Sequence, residues 1–299
     1  MTLATDVPQR PAGQPLTVLV CALGGEGGGV LAEWLYAAAV RAGHAAQATS
    51  IPGVAQRTGA TTYYLEISRE PVPRDAPQGT LVLRGAGARV DGIVFQNMRV
   101  PDGNGAGIRL EKSDLDVVNS MFRSSEEGIL TADDPEATLT IDRSTFSRLG
   151  RCDRGLSCAH SVYTGLYGRV VVTHTRFEKG SGGHYLKTRA ADVEIVDNSF
   201  DDTQGTATNY MIDLPSGSVG SITDNLFVQG RNKENYSAFI AVAAEDRGNP
   251  SRGLSISGNR ASLPADMGRK SFFVADWSGE ALAIGPNELG PGLQRFEKR

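Results

Sequence analysis

Val193-Glu-Ile195-Val-Asp-Asn198-Ser-Phe200 alternates aliphatic and polar positions, then closes on Asn, one residue and Phe. The same slots return in Leu115 to Phe122, Leu139 to Phe146, Val170 to Phe177 and Ser221 to Phe227. Looser copies flank them: Ile93 to Met98 before, Leu254 to Ala261 and Leu282 to Leu289 after. The closing slots Met98, Phe122, Phe146, Phe177, Phe200, Phe227, Ala261 and Leu289 follow one another at steps of 24, 24, 31, 23, 27, 34 and 28 residues. A period in the twenties with variable insertions marks a solenoid, whose coils bury their apolar faces only by stacking. Period-2 alternation within a rung is that of a strand, so the aliphatic slots point inward. From Thr80 onward the expectation is a mainly β fold, a parallel β-helix. Its Phe residues should stack in the core, and its Asn or Ser residues should form a hydrogen-bonded ladder at a turn.

The first 70 residues follow another rhythm. Pro15 to Leu23 reads as a buried strand, Gly24-Gly-Glu-Gly-Gly-Gly29 as a tight turn and Val30 to Ala42 as a helix. Ala45 to Ser50 and Thr61 to Ile67 read as further strands. This small α/β unit makes Gly24, Gly25, Gly27 and Gly28 candidates for cofactor binding, because backbone N–H groups at a helix N-terminus can cradle a phosphate or carboxylate. The spacing is not the dinucleotide fingerprint, and no acidic residue closes the second strand. Glycines that only permit close strand–helix packing explain the turn equally well. Pro71, Pro73 and Pro77 then interrupt the chain. Proline removes ladder donors, so 71–79 is expected to be a linker between an α/β segment, 1–70, and the β-helix, 80–299.

Three successive coils carry a second strand with matched spacing: His160-Ser-Val162-Tyr163, His184-Tyr-Leu186-Lys187 and Tyr210-Met-Ile212-Asp213. With Val162, Leu186 and Ile212 inward, alternation places Tyr163, Lys187 and Asp213 outside, about 4.8 Å apart. Arg189 shares their face. Such a column suits an acidic polysaccharide: Lys187 and Arg189 would neutralise a carboxylate, and Tyr163 or Lys187 would abstract a proton if its pKa moved toward working pH. A solvated Lys187–Asp213 pair of little consequence is the competing reading. His160 and His184 fall on the inward parity, where they would cap or pack.

Composition narrows the classes. The net charge is −4 over 299 residues with no Lys/Arg block, which argues against nucleic acid. No apolar run approaches the roughly 20 residues of a membrane span. Leu16 to Leu23 is too short and wrongly flanked for a signal peptide, so the reading is a cytoplasmic start, although the β-helix part suits a secreted origin. Cys21, Cys152 and Cys158 form no metal spacing. Cys152 and Cys158 are expected as free thiols in a cytosolic chain, with a small loop disulfide as the alternative in an oxidising compartment.

Two resemblances add to this. Val18 to Leu35 with its glycine turn, followed by Ala48 to Leu65 with Pro-Gly-Val-Ala-Gln-Arg-Thr-Gly, resembles the gamma-type domain of 2-oxoacid:ferredoxin oxidoreductases and is most similar to the indolepyruvate oxidoreductase beta subunit. That family implies thiamine diphosphate, coenzyme A chemistry and iron–sulfur clusters. Three scattered cysteines cannot hold a four-cysteine cluster, and the later strands and helices of the family's domain are missing. The resemblance therefore stops near residue 70, and the junction reads as a fusion or chimera. Residues 80–290 resemble right-handed parallel β-helix proteins of the pectate-lyase-like superfamily, notably through Gly183 to Ala190 and Tyr210 to Gly217. The resemblance implies a polysaccharide lyase, hydrolase or epimerase, or a non-catalytic scaffold, since fold does not settle function. The calcium-binding Asp clusters of pectate lyases have no counterpart: Asp133-Asp134 and Asp201-Asp202 are isolated turn pairs, so neither metal nor cofactor is expected.

Overall fold

The computed structural model describes residues 16–23, 27–51, 60–68, 81–84, 87–153, 155–265 and 268–299. They belong to two compact units, 1–74 and 75–299. The linker 71–79, the segment Pro52 to Gly59, and Gly24 and Gly25 of the glycine turn lie outside the described residues.

In the first unit, Leu16–Leu23, Ala45–Ile51 and Ala60–Ser68 form an antiparallel sheet with the last strand in the middle. The helix runs Gly28–Arg41 and starts from Gly27 at φ +79°, a left-handed conformation that glycine adopts without steric cost. No side chain among the described residues caps it. The helix buries Gly28, Ala32 and Ala39 and leaves Val30, Leu31 and Trp34 exposed, Trp34 at 69%. These three larger apolar side chains are thus covered only in part.

The second unit is a parallel β-solenoid of about 8 turns built from three sheets of nine, eight and eight strands. In the coil that opens on Leu186–Thr188 in the first sheet, Asp192–Val196 follows in the second and Ser199–Asp201 in the third. Register is strict where the rungs repeat: Val193 lies over Val170, which lies over Leu139, which lies over Leu115. All four are fully buried. Gly220 continues that slot at φ +104°, where a Cβ would stand 2.1 Å from the Val193 carbonyl oxygen, so no other residue fits.

Phe95, Phe122, Phe146, Phe177, Phe200 and Phe227 stack along the axis with successive centroids 4.7 to 5.0 Å apart and planes within 13° of parallel. In-register parallel strands impose this spacing. Phe95, not Met98, fills the first closing slot, because it pairs with Phe122 and Asn97 turns the chain away at φ +63°. Ala261 succeeds Phe227 in the slot. Phe239 and Phe273 from the first sheet fill the space, meeting Phe227 edge-on at 6.4 and 5.6 Å.

The polar ladder runs Ser120, Ser144, Thr175, Asn198, Asn225, Asn259, Asn287. Each side-chain oxygen accepts the backbone N–H of the preceding member, as in Asn198 N to Asn225 Oδ1 at 2.9 Å and Ser120 N to Ser144 Oγ at 3.1 Å. The asparagines add Nδ2 to Oδ1 bonds of 2.9 to 3.0 Å between coils. The residue before each of the first six members sits at positive φ, from 46° at Arg143 to 70° at Gly258, while Pro286 precedes Asn287. The ladder therefore satisfies a buried turn that water cannot reach.

The structure overturns the expectation for two cysteines. Cys152 and Cys158 form a disulfide, with Cα atoms 4.4 Å apart. The strand-like pair Arg151 and Ala159 brings their chain segments together.

Candidate functional site on the first sheet

The first-sheet strands Val162–Thr164, Leu186–Thr188 and Ile212–Leu214 bring Tyr163, Lys187 and Asp213 into one column, with Tyr163 beside Lys187 and Lys187 beside Asp213. The column points away from the core, as the alternation requires, but it is not solvated. Lys187 is 8% exposed and Asp213 2%. Cover comes from one coil further on. After the strand Ala238–Val242 the chain follows the preceding turn, with Glu245 N and Asp246 N both donating to the Pro215 carbonyl at 3.0 Å. Asn249 Nδ2 donates to Arg189 O and Gly217 O, each at 3.1 Å. Ala244 packs into a small outer cluster with Tyr210, Ala241, Ala275 and Trp277. The turn that carries Glu245 and Asp246 is thus held by both backbone and packing.

Glu245 and Asp246 meet the column's cations. Lys187 Nζ stands 2.5 Å from Glu245 Oε1 and 3.4 Å from Asp213 Oδ2. Arg189 pairs with the other Glu245 oxygen and reaches Asp246 Oδ2 at 3.1 Å. Its guanidinium also donates to Ser216 Oγ at 2.8 Å and to the Tyr163 hydroxyl at 3.3 Å. All four residues singled out from sequence, Tyr163, Lys187, Arg189 and Asp213, therefore belong to one network.

The histidines pack and cap as expected but depart from the expected inward parity. His160 and His184 lie outside the core, their rings 4.8 Å apart, and His184 Nε2 stands 3.4 Å from Asp213 Oδ2. Tyr185 and Leu186 are both core residues, as are Met211 and Ile212. Two consecutive inward residues at this corner shift the parity by one, so His184 and Tyr210 leave on the outer side. Their rings stack at 5.5 Å. His160 Nδ1 accepts the His184 backbone N–H at 3.0 Å.

Residues 80–261 match the family described as "Right handed beta helix region". The chain belongs to the right-handed β-helix family. Residues 17–88 match a second description, "Pyruvate ferredoxin/flavodoxin oxidoreductase", so the β-helix follows a fragment of that domain. No curated protein and no solved structure matches the chain.

The electrostatics of this β-helix's outer network separate its two central carboxyls. Burial, with Glu245 adding to it, raises Asp213 to about 6 against the opposing pull of Lys187 and Arg189. Burial also works against the charge of Glu245, but Lys187 and Arg189 outweigh it and hold its pKa below the usual range. Lys187 goes up: Asp213 and Glu245 more than offset its burial. It stays an ammonium, which is the wrong direction for a proton-abstracting base. Burial, then the Lys187 charge, pushes His160 down to about 3; burial, with His160 and Lys187 adding to it, also pushes His184 well down, so both are neutral. Among the described residues, Asp213 Oδ1 has no hydrogen-bond partner.

Sequence reasoning missed Glu245 and Asp246. The available signal was positional, since Ala241 and Val242 continue the slots of Asp213 and Leu214, which brings Glu245 round the same corner one coil later. Of the glycine turn, Gly27 and Gly28 are described, as the cap and the buried first residue of the helix. Among the described residues, no three His, Cys, Asp or Glu side chains group as a metal site.

Proposed function

We propose that this β-helix cleaves a glycosidic bond at the outer surface of its first sheet, with Asp213 as proton donor and Glu245 as the carboxylate that acts with it. The β-helix fold is common among carbohydrate-active proteins. The observation that carries the finer reading is the Asp213 and Glu245 pair on a single ammonium. Both carboxyls reach Lys187 Nζ, so their nearest oxygens are no more than about 6 Å apart, short of the roughly 6.5–9.5 Å of an inverting pair and compatible with a retaining one. Their pKa values are pushed in opposite directions, one toward a proton donor and one toward a permanent anion. Tyr163 and Arg189 would contact the sugar at the rim, and Lys187 would hold the charge balance as the proton moves. Because Glu245 and Asp246 already match Lys187 and Arg189, a neutral polysaccharide suits this surface better than the acidic one expected from sequence.

The test is release of new reducing ends from a panel of neutral polysaccharides and polygalacturonate. Asp213→Asn and Glu245→Gln should each lower the rate at least about 100-fold, the scale of general acid catalysis, with circular dichroism unchanged. Absence of new ends from every member of the panel would refute cleavage. Retention of glycan without product would then favour the second reading, a non-catalytic binding scaffold, for which the near-complete burial of Asp213 speaks.

A further inference from the structure

The corner between the third and first sheets holds a further buried cluster. Asp202 stands in the turn directly after the strand Ser199–Asp201, with its N–H bonded to the Val228 carbonyl at 2.9 Å. Lys233 comes from the same corner one coil later, where parallel bridges stack Gly183, Thr208 and Lys233 in successive coils. Lys233 Nζ lies 3.1 Å from Asp202 Oδ2, and both side chains are 0% exposed. Gly205 and Gly230 close over Asp202: a Cβ on either would stand 1.9 Å from an Asp202 oxygen, so no side chain fits there. The pair is thus held at contact distance out of reach of bulk water.

The donors around the carboxyl divide between its two oxygens. Oδ1 accepts the Tyr185 hydroxyl at 2.7 Å and the Thr208 hydroxyl at 2.8 Å, while Oδ2 accepts the Gly230 N–H at 3.0 Å and the ammonium. Burial, with the Asp202 charge adding to it, keeps the Tyr185 hydroxyl protonated, and the Gly180 N–H fixes its oxygen at 3.0 Å. Burial also pulls Lys233 below the usual ammonium range, against the Asp202 charge, which favours the free amine. With a carbon–oxygen bond of about 1.23 Å, Nζ is no more than about 4.3 Å from Asp202 Cγ, within about 1 Å of attack distance. Two hydroxyls on Oδ1 are what a developing oxyanion needs. Condensation would also replace two buried charges, which are costly to desolvate, by one neutral amide.

We propose that Lys233 and Asp202 condense to an isopeptide bond that ties consecutive coils of the β-helix together. One proton passes from Nζ to Oδ2, the amine attacks Cγ, and negative charge develops on Oδ1 under the Tyr185 and Thr208 hydroxyls. A second Nζ proton then moves to Oδ2, the Cγ–Oδ2 bond breaks and water leaves. The ammonium and carboxylate charges cancel, one water is lost and no co-reactant is consumed. The remaining N–H keeps the Asn209 carbonyl, 2.6 Å from Nζ, as its acceptor.

Mass spectrometry of the purified full chain, with its disulfide reduced, tests this. Wild type should fall short of its sequence mass by one water, and digestion should give a branched peptide in which residues 202 and 233 are joined. Lys233→Met keeps an unbranched side chain without the amine and should show the full sequence mass of that variant. Wild type at full mass, a branched peptide joining another pair, or a water loss that persists in Lys233→Met, as a cyclised aspartate would give, would each overturn the proposal. Lys233→Met leaves Asp202 buried without its cation; if that variant fails to fold, the wild-type mass and the joined peptide decide the matter without it. The outcome is independent of whether the Asp213 cluster cleaves anything.

Discussion

Asp213→Asn should make the protein more stable at neutral pH, and the gain should vanish in acid. An unfolded aspartate ionises near 3.9, whereas Asp213 in the folded chain ionises at about 6 because burial dominates. The folded state therefore holds the proton more tightly. The stability contributed by the protonated carboxyl is complete below about pH 4 and lost as pH rises through 6. With each pKa unit worth about 1.4 kcal/mol, the ionised group costs about 3 kcal/mol above pH 7 relative to a neutral one in the same place. Asparagine is that neutral group. It removes a partner of Lys187, which keeps Glu245, so the net gain at pH 8 should be about 1–3 kcal/mol and near zero at pH 4. Urea unfolding at pH 4, 6 and 8 measures it. Amide exchange across Leu186–Thr188 should accompany it, because long repeat arrays can lose two-state behaviour. If Asp213→Asn is instead less stable by the same amount at every pH, Asp213 is an ordinary structural partner of Lys187 and its role as proton donor loses its basis.

Other substitutions probe the scaffold. Asn225→Ala removes the acceptor of the Asn198 N–H and the donor to Ile195 O, and should cost about 2–4 kcal/mol in denaturant unfolding. Asn225→Thr should cost less, since Thr175 fills the same slot and still accepts a backbone N–H through its hydroxyl. Phe177→Ala opens a gap between Phe146 and Phe200 and should cost about 3–5 kcal/mol by the same assay. Glu127 is buried with Oε2 unpartnered among the described residues, and burial raises its pKa to about 8. Its protonated form's contribution to stability is complete below about pH 4 and is lost progressively as pH rises to 8, so Glu127→Gln should be more stable than wild type at pH 9 and nearly equal to it at about pH 3.5.

The repeat was legible because a stacked coil forces the same chemistry into the same slot. Leu139, Val170 and Val193 share one inward position, and the Ser-to-Asn ladder shares one turn, so both show as spacing in a single chain. The first closing slot was misplaced at Met98 because Phe95 is followed by a turn residue that spacing cannot distinguish from an added strand position. The helix in the first unit was equally readable from its period. That period says nothing about cover for Val30, Leu31 and Trp34, which the described residues leave exposed.

At the candidate site, alternation within the strands aligned Tyr163, Lys187 and Asp213, and the same rule misdirected His160 and His184. Period 2 holds only inside a strand, and the corners at Tyr185-Leu186 and Met211-Ile212 each turn two neighbours inward. Sequence by itself thus determined the solenoid, its core and the column of outward side chains, because these are local periodicities repeated by stacking. Tertiary structure alone decided which of those side chains are covered and which cations are matched. Glu245 and Asp246 come from 58 and 57 residues after Lys187 and Arg189. Pairings over such distances depend on how a turn is held, and no spacing along the chain encodes that.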